Sequence, residues 1–147
     1  IMGDADDSYN FLELSLFIER LQAGYDMVMG NRFAGGITKG AMPWLHRYVG
    51  NPFLSSLGRF LFKNNIGDFH CGLRAFTKKC YNIINPQCNG MEFASELVAL
   101  ASIHQMRICE IPVTLYPDGR KRRPHLRSWR DGFRHMVLLY SLYLLRN

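Results

Sequence analysis

The sequence has no long run of apolar residues, no cysteine pair spaced for a metal or redox site, and no internal repeat. No window approaches the ~20 apolar residues that a bilayer-spanning helix needs, so we expect these residues to form a soluble fragment. The four cysteines, at positions 71, 80, 88 and 109, show no C-x-x-C spacing. Scattered cysteines of this kind are typical of reduced residues in a cytosolic protein, which argues against a disulfide scaffold or a zinc finger.

The chain also lacks an initiator methionine, and no targeting segment precedes its first predicted strand. Its 147 residues, of which 48% are hydrophobic, suffice for the core of one domain. We therefore expect a large part of one domain, with further sequence preceding Ile1.

Positive charge is concentrated near the C-terminus of a chain whose net charge is +6. Seven basic residues fall within positions 120–134, opposed there only by Asp131: Arg120, Lys121, Arg122, Arg123, Arg127, Arg130 and Arg134. Such a block attracts phosphate on a nucleotide, a nucleic acid or an anionic membrane. A solvated charged loop is the alternative.

Hydrophobic periodicity predicts an alternation of helices and strands. We expect helices over 10–23, 43–63, 78–84, 91–104 and 128–145, and strands over 26–29, 107–116 and within 68–76. Pro52 should split the second helix near Gly50. Residues 34–40 contain too much glycine for regular structure and are expected to form a loop. The alternation predicts an α/β fold.

An acidic segment follows directly after the apolar pair that opens the chain. Asp4, Asp6 and Asp7 place three carboxylates within four residues. Crowded carboxylates repel one another unless a cation neutralises them, and Mg²⁺ and Mn²⁺ favour carboxylate oxygens. The alternative is an acidic helix N-terminus capped by Asp7 or Ser8.

Two arginines and one aspartate carry a second candidate site. Arg32 follows a predicted strand end, where it could bind a phosphate with both arms of its guanidinium or lie at a surface turn. Asp68 and Arg74 flank a glycine and could serve a ligand or form a structural salt bridge.

One predicted helix carries two further carboxylates, and a histidine precedes it. Glu92 and Glu96 are four residues apart on one helix face, where like charges are unfavourable unless a function uses them. A solvated face is the alternative for this pair. His70, within the Asp68 segment, is interpreted as structural.

Taken together, these segments resemble one protein family. The sequences GDADDSY, GYDMVMGNRF, DFHCGLRAF, GMEFASE and ICEIPVTLY occur in the order seen in family 2 glycosyltransferases. Among them the chain is most similar to the polyprenyl-phosphate sugar transferases, the dolichyl-phosphate-mannose-synthase-like group. The resemblance implies a truncated GT-A (Rossmann-like) fold that lacks the N-terminal nucleotide-binding half. Residues 1–127 would be the C-terminal part of the catalytic domain, and 128–147 an amphipathic juxtamembrane helix.

The resemblance also implies roles for particular residues. Asp4 and Asp6 match the pair that holds a divalent cation, Mg²⁺ or Mn²⁺, on the donor diphosphate. Ser8 stands where some members supply a third ligand as Gln. Arg32 matches an arginine near the acceptor phosphate.

Other matched positions lie on the acceptor side. Asp68 and Arg74 match a motif there, with Asp68 our first choice of catalytic carboxylate and Glu92 the second. The basic loop, residues 120–127, matches the mobile acceptor loop of the family, and its acceptor-binding candidates are Arg120, Arg122, Arg123 and Arg127.

The implied reaction moves a hexosyl group from a nucleotide-diphosphate donor to a polyprenyl (dolichyl or undecaprenyl) phosphate, at the cytoplasmic face of the cell membrane. We expect this fragment to be inactive alone and its truncated sheet to invite association between copies. The alternatives are a glycosyltransferase with a soluble saccharide acceptor and a basic module that binds anions or nucleic acid. Only Trp129 and Phe133 lie near the arginines as stacking platforms, so no nucleic-acid partner is expected.

The last predicted helix is too short in its apolar part to cross a membrane. Residues 136–145 are ten largely apolar positions that rise only ~15 Å as a helix, half of a ~30 Å hydrocarbon core. Basic residues stand on both sides of them. The pattern predicts a helix that lies on an anionic leaflet, with packing onto the rest of the domain as the alternative.

Overall fold

A three-stranded mixed sheet organises the chain, of which the computed structural model describes residues 1–119 and 128–146. The strands are β1 (Met27–Asn31), β2 (Arg74–Phe76) and β3 (Ile108–Pro112). The helices are α1 (Leu14–Gln22), α2 (Arg32–Gly35), α3 (Asn51–Phe62), α4 (Lys78–Ile84), α5 (Phe93–Ile103) and α6 (Ser128–Arg146). The sheet order is β2-β1-β3, with β1 antiparallel to β2 and parallel to β3. The predicted α/β class is confirmed.

The central strand β1 is covered on both faces. Successive side chains of a strand point to opposite sides, and β1 uses both of them. Val28 packs in a cluster with Tyr9 and Phe17, while Met27 and Met29 pack with a second cluster that includes side chains of α5. All three β1 side chains are fully buried, which is typical of a strand between two layers of helices.

Helix α6 joins the domain through a third cluster. Leu139 is fully buried against Leu61 and Phe62 of α3 and Ala99 of α5. The C-terminal helix therefore packs on two other helices along one of its faces.

The acidic segment begins beside β2. The backbone N–H of Met2 donates to the carbonyl oxygen of Arg74 over 2.8 Å, and that of Arg74 donates to Met2 over 2.9 Å. The apolar pair before the acidic loop, residues 4–7, thus joins β2 through one antiparallel bridge, between Met2 and Arg74. This bridge places the acidic loop next to the segment that contains Arg74.

Two local expectations need correction or refinement. The predicted loop over 34–40 is helical at its start, because the Asn31 side chain accepts a hydrogen bond from the backbone of Ala34 and caps α2. The helix expected over 43–63 is a π-helical turn (His46–Gly50) followed by α3. Pro52 has no N–H to donate, and the wider turn before it accommodates the missing hydrogen bond.

Replacement of Gly35 by alanine tests how closely α2 packs on β3. A Cβ atom at Gly35 would lie 2.3 Å from the backbone nitrogen of Val113. Because backbone cannot move aside cheaply, we expect Gly35→Ala to destabilise the protein by about 1–3 kcal/mol or more in chemical denaturation. The matched control is Gly132→Ala in α6, where an added Cβ would meet no other part of the described chain within 4 Å, and a gain of up to ~1 kcal/mol is expected. Equal stability of the two variants would contradict the close packing.

Candidate functional site

A buried ion pair between Arg32 and Asp68 lies where β1 ends and α2 begins. The Nε of Arg32 is 2.7 Å from Oδ2 of Asp68, and its Nη2 is 2.8 Å from Oδ1. The backbone N–H of Arg32 also donates to Oδ2 over 3.1 Å. Asp68 is 0% exposed and Arg32 8% exposed. The two-armed geometry that the sequence suggested for a phosphate is thus directed at a carboxylate within the chain.

The pairing keeps both groups charged despite their burial. Burial alone would raise the pKa of Asp68, but hydrogen bonds from Arg32 and its positive charge lower that pKa below its usual value. Burial would likewise lower the pKa of Arg32, and Asp68 more than offsets it, so this pKa is raised. A carboxylate with a lowered pKa is a poor proton acceptor near neutral pH.

The Asp68 segment is held from the neighbouring strand. Glu110 of β3 accepts hydrogen bonds from the backbone of Gly67 and of Asp68, at 2.9 and 3.0 Å. Glu110 lies on β3, and Arg32 directly follows β1, the parallel strand next to it. Two neighbouring strands of the sheet therefore position the residues that contact the Asp68 segment. The backbone of His70 donates to Asp68 Oδ1 over 3.2 Å and completes the turn.

Arg74 does not pair with Asp68, so the salt bridge considered between them is wrong. Arg74 is 2% exposed and donates instead to the carbonyl oxygens of Cys71 and Ala94. Its Nε has no hydrogen-bond partner in the part of the chain that the structure describes. Burial lowers the pKa of Arg74, while negative charges nearby, including that of Asp4, act to raise it.

The acidic loop lies against the segment that leads to Arg74. The exposed Asp4 carboxylate sits where a side chain at position 72 would be, since a Cβ on Gly72 would lie 1.9 Å from Oδ2 of Asp4. The phenol oxygen of the buried Tyr9 accepts a hydrogen bond from the backbone of Gly72 over 3.1 Å. A glycine is therefore required at position 72 for the acidic loop to approach β2.

Asp6 connects the acidic loop to the residues before the basic loop. Asp6 is buried, and its Oδ1 accepts a hydrogen bond from the backbone of Ser8. Its carbonyl oxygen accepts one from Gly119 over 2.8 Å, and the carbonyl oxygen of Ser8 accepts one from Tyr116. The chain thus reaches position 119 alongside the acidic loop. The acceptor-binding candidates Arg120, Arg122, Arg123 and Arg127 lie outside the described residues.

The two carboxylates of Asp4 and Asp6 suit a divalent cation whose remaining ligands come from a substrate. Within residues 1–119 and 128–146, no three His, Cys, Asp or Glu side chains converge as metal ligands. Asp4 and Asp6 offer two carboxylates, and Mg²⁺ in proteins is commonly held by one or two carboxylates together with substrate phosphates. The metal assignment of these two residues stays a prediction.

Glu92 and Glu96 are both buried, so the solvated face considered for them is wrong. The Glu96 carboxylate accepts hydrogen bonds from the backbone of Gln87 and Cys88, at 3.0 and 2.8 Å. Glu92 forms a salt bridge with Arg134 of α6. Glu92 therefore belongs to the contact between α5 and α6, and its catalytic role stays a prediction.

A chain of polar contacts that the sequence did not reveal joins the Asp68 segment to α6. Nε2 of His70 and Oγ of Ser95 are 2.9 Å apart, and the same Oγ is 2.8 Å from Nδ1 of His135. The two imidazole rings meet edge to face at 4.8 Å. His135 falls in the buried stripe of α6 with Leu139 four residues later, and this spacing is the only signal that could have indicated it.

The outward face of α6 is apolar. Phe133, Val137, Tyr140 and Leu144 recur at helical spacing and are all exposed, with Phe133 at 63% and Tyr140 at 59%. No helix in the described part of the chain is both long and apolar enough to span a membrane. The four side chains thus form an exposed apolar stripe along α6.

Comparison with known proteins gives relatives named for sugar transfer. The chain is 38% identical over 136 residues to the low-salt glycan biosynthesis hexosyltransferase Agl6 of Haloferax volcanii. The aligned residues make up 92% of this chain and 32% of that relative. It is 33% identical over 115 residues to the dolichyl-phosphate hexose transferase of that organism, a match that covers 77% of this chain and 48% of that relative. It is 30% identical over 114 residues to polyprenol monophosphomannose synthase of Mycolicibacterium smegmatis, a match that covers 76% of this chain and 43% of that relative. No protein-family model matches the chain.

These relatives place the chain in the glycosyltransferase class, and its mixed α/β architecture is consistent with that class. Within that class the chain belongs to the polyprenyl-phosphate sugar transferase group of family 2, as its motifs predicted. It spans about a third to a half of the length of the curated relatives it matches.

The dependence of stability on acid tests the environment of the partly buried His70. Burial, together with the charge of His135, lowers the pKa of His70 from 6.5 to about 3. Between pH 6.5 and 3 the unfolded chain therefore binds a proton at His70 that the folded chain does not. The free energy of unfolding should keep its full value above pH 6.5 and fall as the pH drops toward 3. The slope is limited to ~1.4 kcal/mol per pH unit for each proton.

Denaturant midpoints between pH 7.5 and 4.5 measure this dependence. We expect His70→Gln to flatten the slope, because glutamine can still hydrogen-bond Ser95 but takes up no proton. His104→Gln, at an exposed position, is the control and should keep the slope. Because the pKa of Asp68 lies below its usual value of 3.8, Asp68 takes up no proton between pH 7.5 and 4.5 and does not contribute to this slope. An unchanged slope in His70→Gln would contradict the assignment.

Proposed function

We propose that the protein to which this chain belongs transfers a hexosyl group from a nucleotide-diphosphate sugar to a polyprenyl phosphate. The observation that carries the proposal is the hydrogen bond from the backbone N–H of Gly119 to the carbonyl oxygen of Asp6. This bond brings the residues directly before the basic loop alongside the acidic loop. A donor diphosphate with its cation and an anionic acceptor would then meet between these two loops. The names of the relatives, a dolichyl-phosphate hexose transferase and a polyprenol monophosphomannose synthase, support this acceptor class.

In this proposal Asp4 and Asp6 hold Mg²⁺ or Mn²⁺. The cation, when bound, offsets the negative charge that develops on the leaving nucleotide diphosphate. The exposed Asp4 carboxylate is open to such an ion, and the backbone hydrogen bond from Ser8 orients that of Asp6. Arg74 lies close enough for the Asp4 charge to act on it, so it supplies positive potential beneath the acidic loop.

We assign Asp68 a positioning role in this proposal. A phosphate oxygen of the acceptor is already ionised near neutral pH and needs little help from a general base. Arg32 holds the pKa of Asp68 below its usual range, which makes Asp68 unsuited to proton abstraction. Its contacts with Arg32 and with the backbone of His70 instead fix the segment that runs to Arg74.

Asp6→Asn in the full-length enzyme tests the proposed reaction. Asparagine preserves an oxygen that can accept the hydrogen bond from Ser8 but removes the charge that a cation requires. We expect sugar transfer to a polyprenyl phosphate to fall roughly 100-fold or more, the magnitude typical of lost transition-state charge stabilisation. The measurement is transfer of radiolabelled sugar into the lipid phase, with and without EDTA.

Asp7→Asn is the matched control for this substitution. Asp7 is exposed and has a left-handed backbone (φ 60°), which asparagine also tolerates. We expect it to retain activity. Full activity of Asp6→Asn in EDTA would refute the metal assignment, and transfer only to a soluble saccharide would refute the polyprenyl-phosphate acceptor.

The proposal places the reaction at the cytoplasmic membrane surface, with α6 as a contact to anionic lipid. Its exposed apolar stripe is flanked by the exposed Arg130 and Arg146, a combination suited to an interfacial helix on an anionic leaflet. Leu138 and Leu142, which lie in the apolar run over 136–145, are only partly exposed, and Leu142 packs against α3 and α5. The exposed stripe is therefore the better target.

Liposome flotation of the 147-residue chain tests this contact. Phe133→Ser with Tyr140→Ser should reduce flotation strongly, because two large exposed apolar side chains no longer enter the interface. Wild-type binding should require anionic lipid and weaken with salt. Leu12→Ser with Ile18→Ser, at exposed positions near α1, is the control pair and should float like the wild type. Equal flotation of both double variants would exclude α6 as the contact.

A further inference from the structure

The contact between α5 and α6 is polar at one end and apolar at the other. Near the start of α6, Arg134 and His135 meet Glu92 and Ser95 at the beginning of α5. Further along, Leu139 packs in an apolar cluster. Apolar contacts are non-directional and tolerate small rotations, whereas hydrogen bonds fix angles as well as distances. The polar end therefore determines the orientation of α6 where the chain enters it.

The polar end of this contact also reaches the Arg32–Asp68 pair. Ser95 is fully buried and bonded on one side to His135 and on the other to His70. The backbone N–H of His70 in turn donates to Oδ1 of Asp68. Three hydrogen bonds thus lead from α6 to the carboxylate that Arg32 clamps.

We propose that His135 is a positioning residue for the acceptor: through Ser95 and His70 it sets α6 in a fixed position relative to the Arg32–Asp68 pair. The inference rests on the proposed function, in which the segment from Asp68 to Arg74 lies on the acceptor side. It goes further by assigning acceptor affinity to a residue that contacts no substrate.

The chemistry of the three side chains supports a specific geometric role. Removing the hydroxyl, the His135 ring and part of the His70 ring from water costs free energy that a packed leucine or alanine at these positions would not incur. The hydroxyl can donate to one imidazole while it accepts from the other, so two neutral rings satisfy both contacts of Ser95. Nδ1 of His70 has no hydrogen-bond partner in the described residues. Burial lowers the pKa of both histidines, which keeps the rings neutral as this arrangement requires. Such a network specifies geometry more than it adds stability.

Steady-state kinetics of the full-length enzyme separate positioning from general stability. His135→Leu preserves the bulk of the side chain but removes its bond to Ser95, and we expect the KM for polyprenyl phosphate to rise roughly tenfold with the KM for the sugar nucleotide unchanged. His135→Asn can place an amide group near the position of Nδ1 and should restore most of the acceptor affinity. His104→Leu, at an exposed position beyond the other end of α5, is the matched control and should behave like the wild type.

Hydrogen–deuterium exchange on the same proteins gives a readout independent of activity. In His135→Leu we expect faster exchange both at the start of α6 and over residues 68–74, the two ends of the network. Ser95→Ala breaks it at its centre and should reproduce both effects, so the test stands even where His135→Leu folds poorly. Faster exchange confined to α6 would overturn the inference.

The kinetic outcomes distinguish this inference from the proposed function. An equal rise in both KM values, or an unchanged acceptor KM in His135→Leu and Ser95→Ala, would overturn the positioning role while leaving the reaction intact. A wild-type enzyme that transfers no sugar to polyprenyl phosphate would instead refute the proposed function, and with it the role in acceptor binding.

Discussion

The ion pair between Arg32 and Asp68 is the interaction on which the candidate site depends. Both groups are removed from water, and a buried charge without its partner costs far more than the pair itself contributes. The pair therefore ties together two parts of the chain that are 36 residues apart, the end of β1 and the loop before β2. The position of that loop in turn determines where Arg74 and Gly72 lie.

From this pair the remaining polar contacts extend in two directions. Toward the N-terminus, Gly72 admits the Asp4 carboxylate, so the acidic loop rests on the segment that Asp68 anchors. Toward the C-terminus, His70 leads through Ser95 to α6. The proposed donor and acceptor sides are thus coupled to one buried carboxylate, whose lowered pKa suits it to hold geometry and not to move protons.

Much of the fold was predictable because hydrophobic spacing is local information. The helices α1, α4 and α5 and the strand β3 fall within the predicted segments, and β1 overlaps its predicted segment but extends two residues beyond it. Pro52 marks an irregularity where one was expected. The short helix α2 was missed because its cap is a side-chain hydrogen bond from a single asparagine in a glycine-rich context. The partner of Asp68 was not predictable, since two arginines were available and sequence spacing favoured Arg74, the nearer one.

The sequence by itself determined the class of protein, the alternation of elements and the residue types at the candidate site, because ordered motifs and apolar periodicity are written along the chain. Only the tertiary structure decided which charges meet. It directed Arg32 to Asp68, buried Glu92 and Glu96 against separate partners, and brought Ser95 between two histidines 65 positions apart in the chain. Burial and pairing depend on contacts between distant segments, and those contacts exist only after the chain has folded around β1.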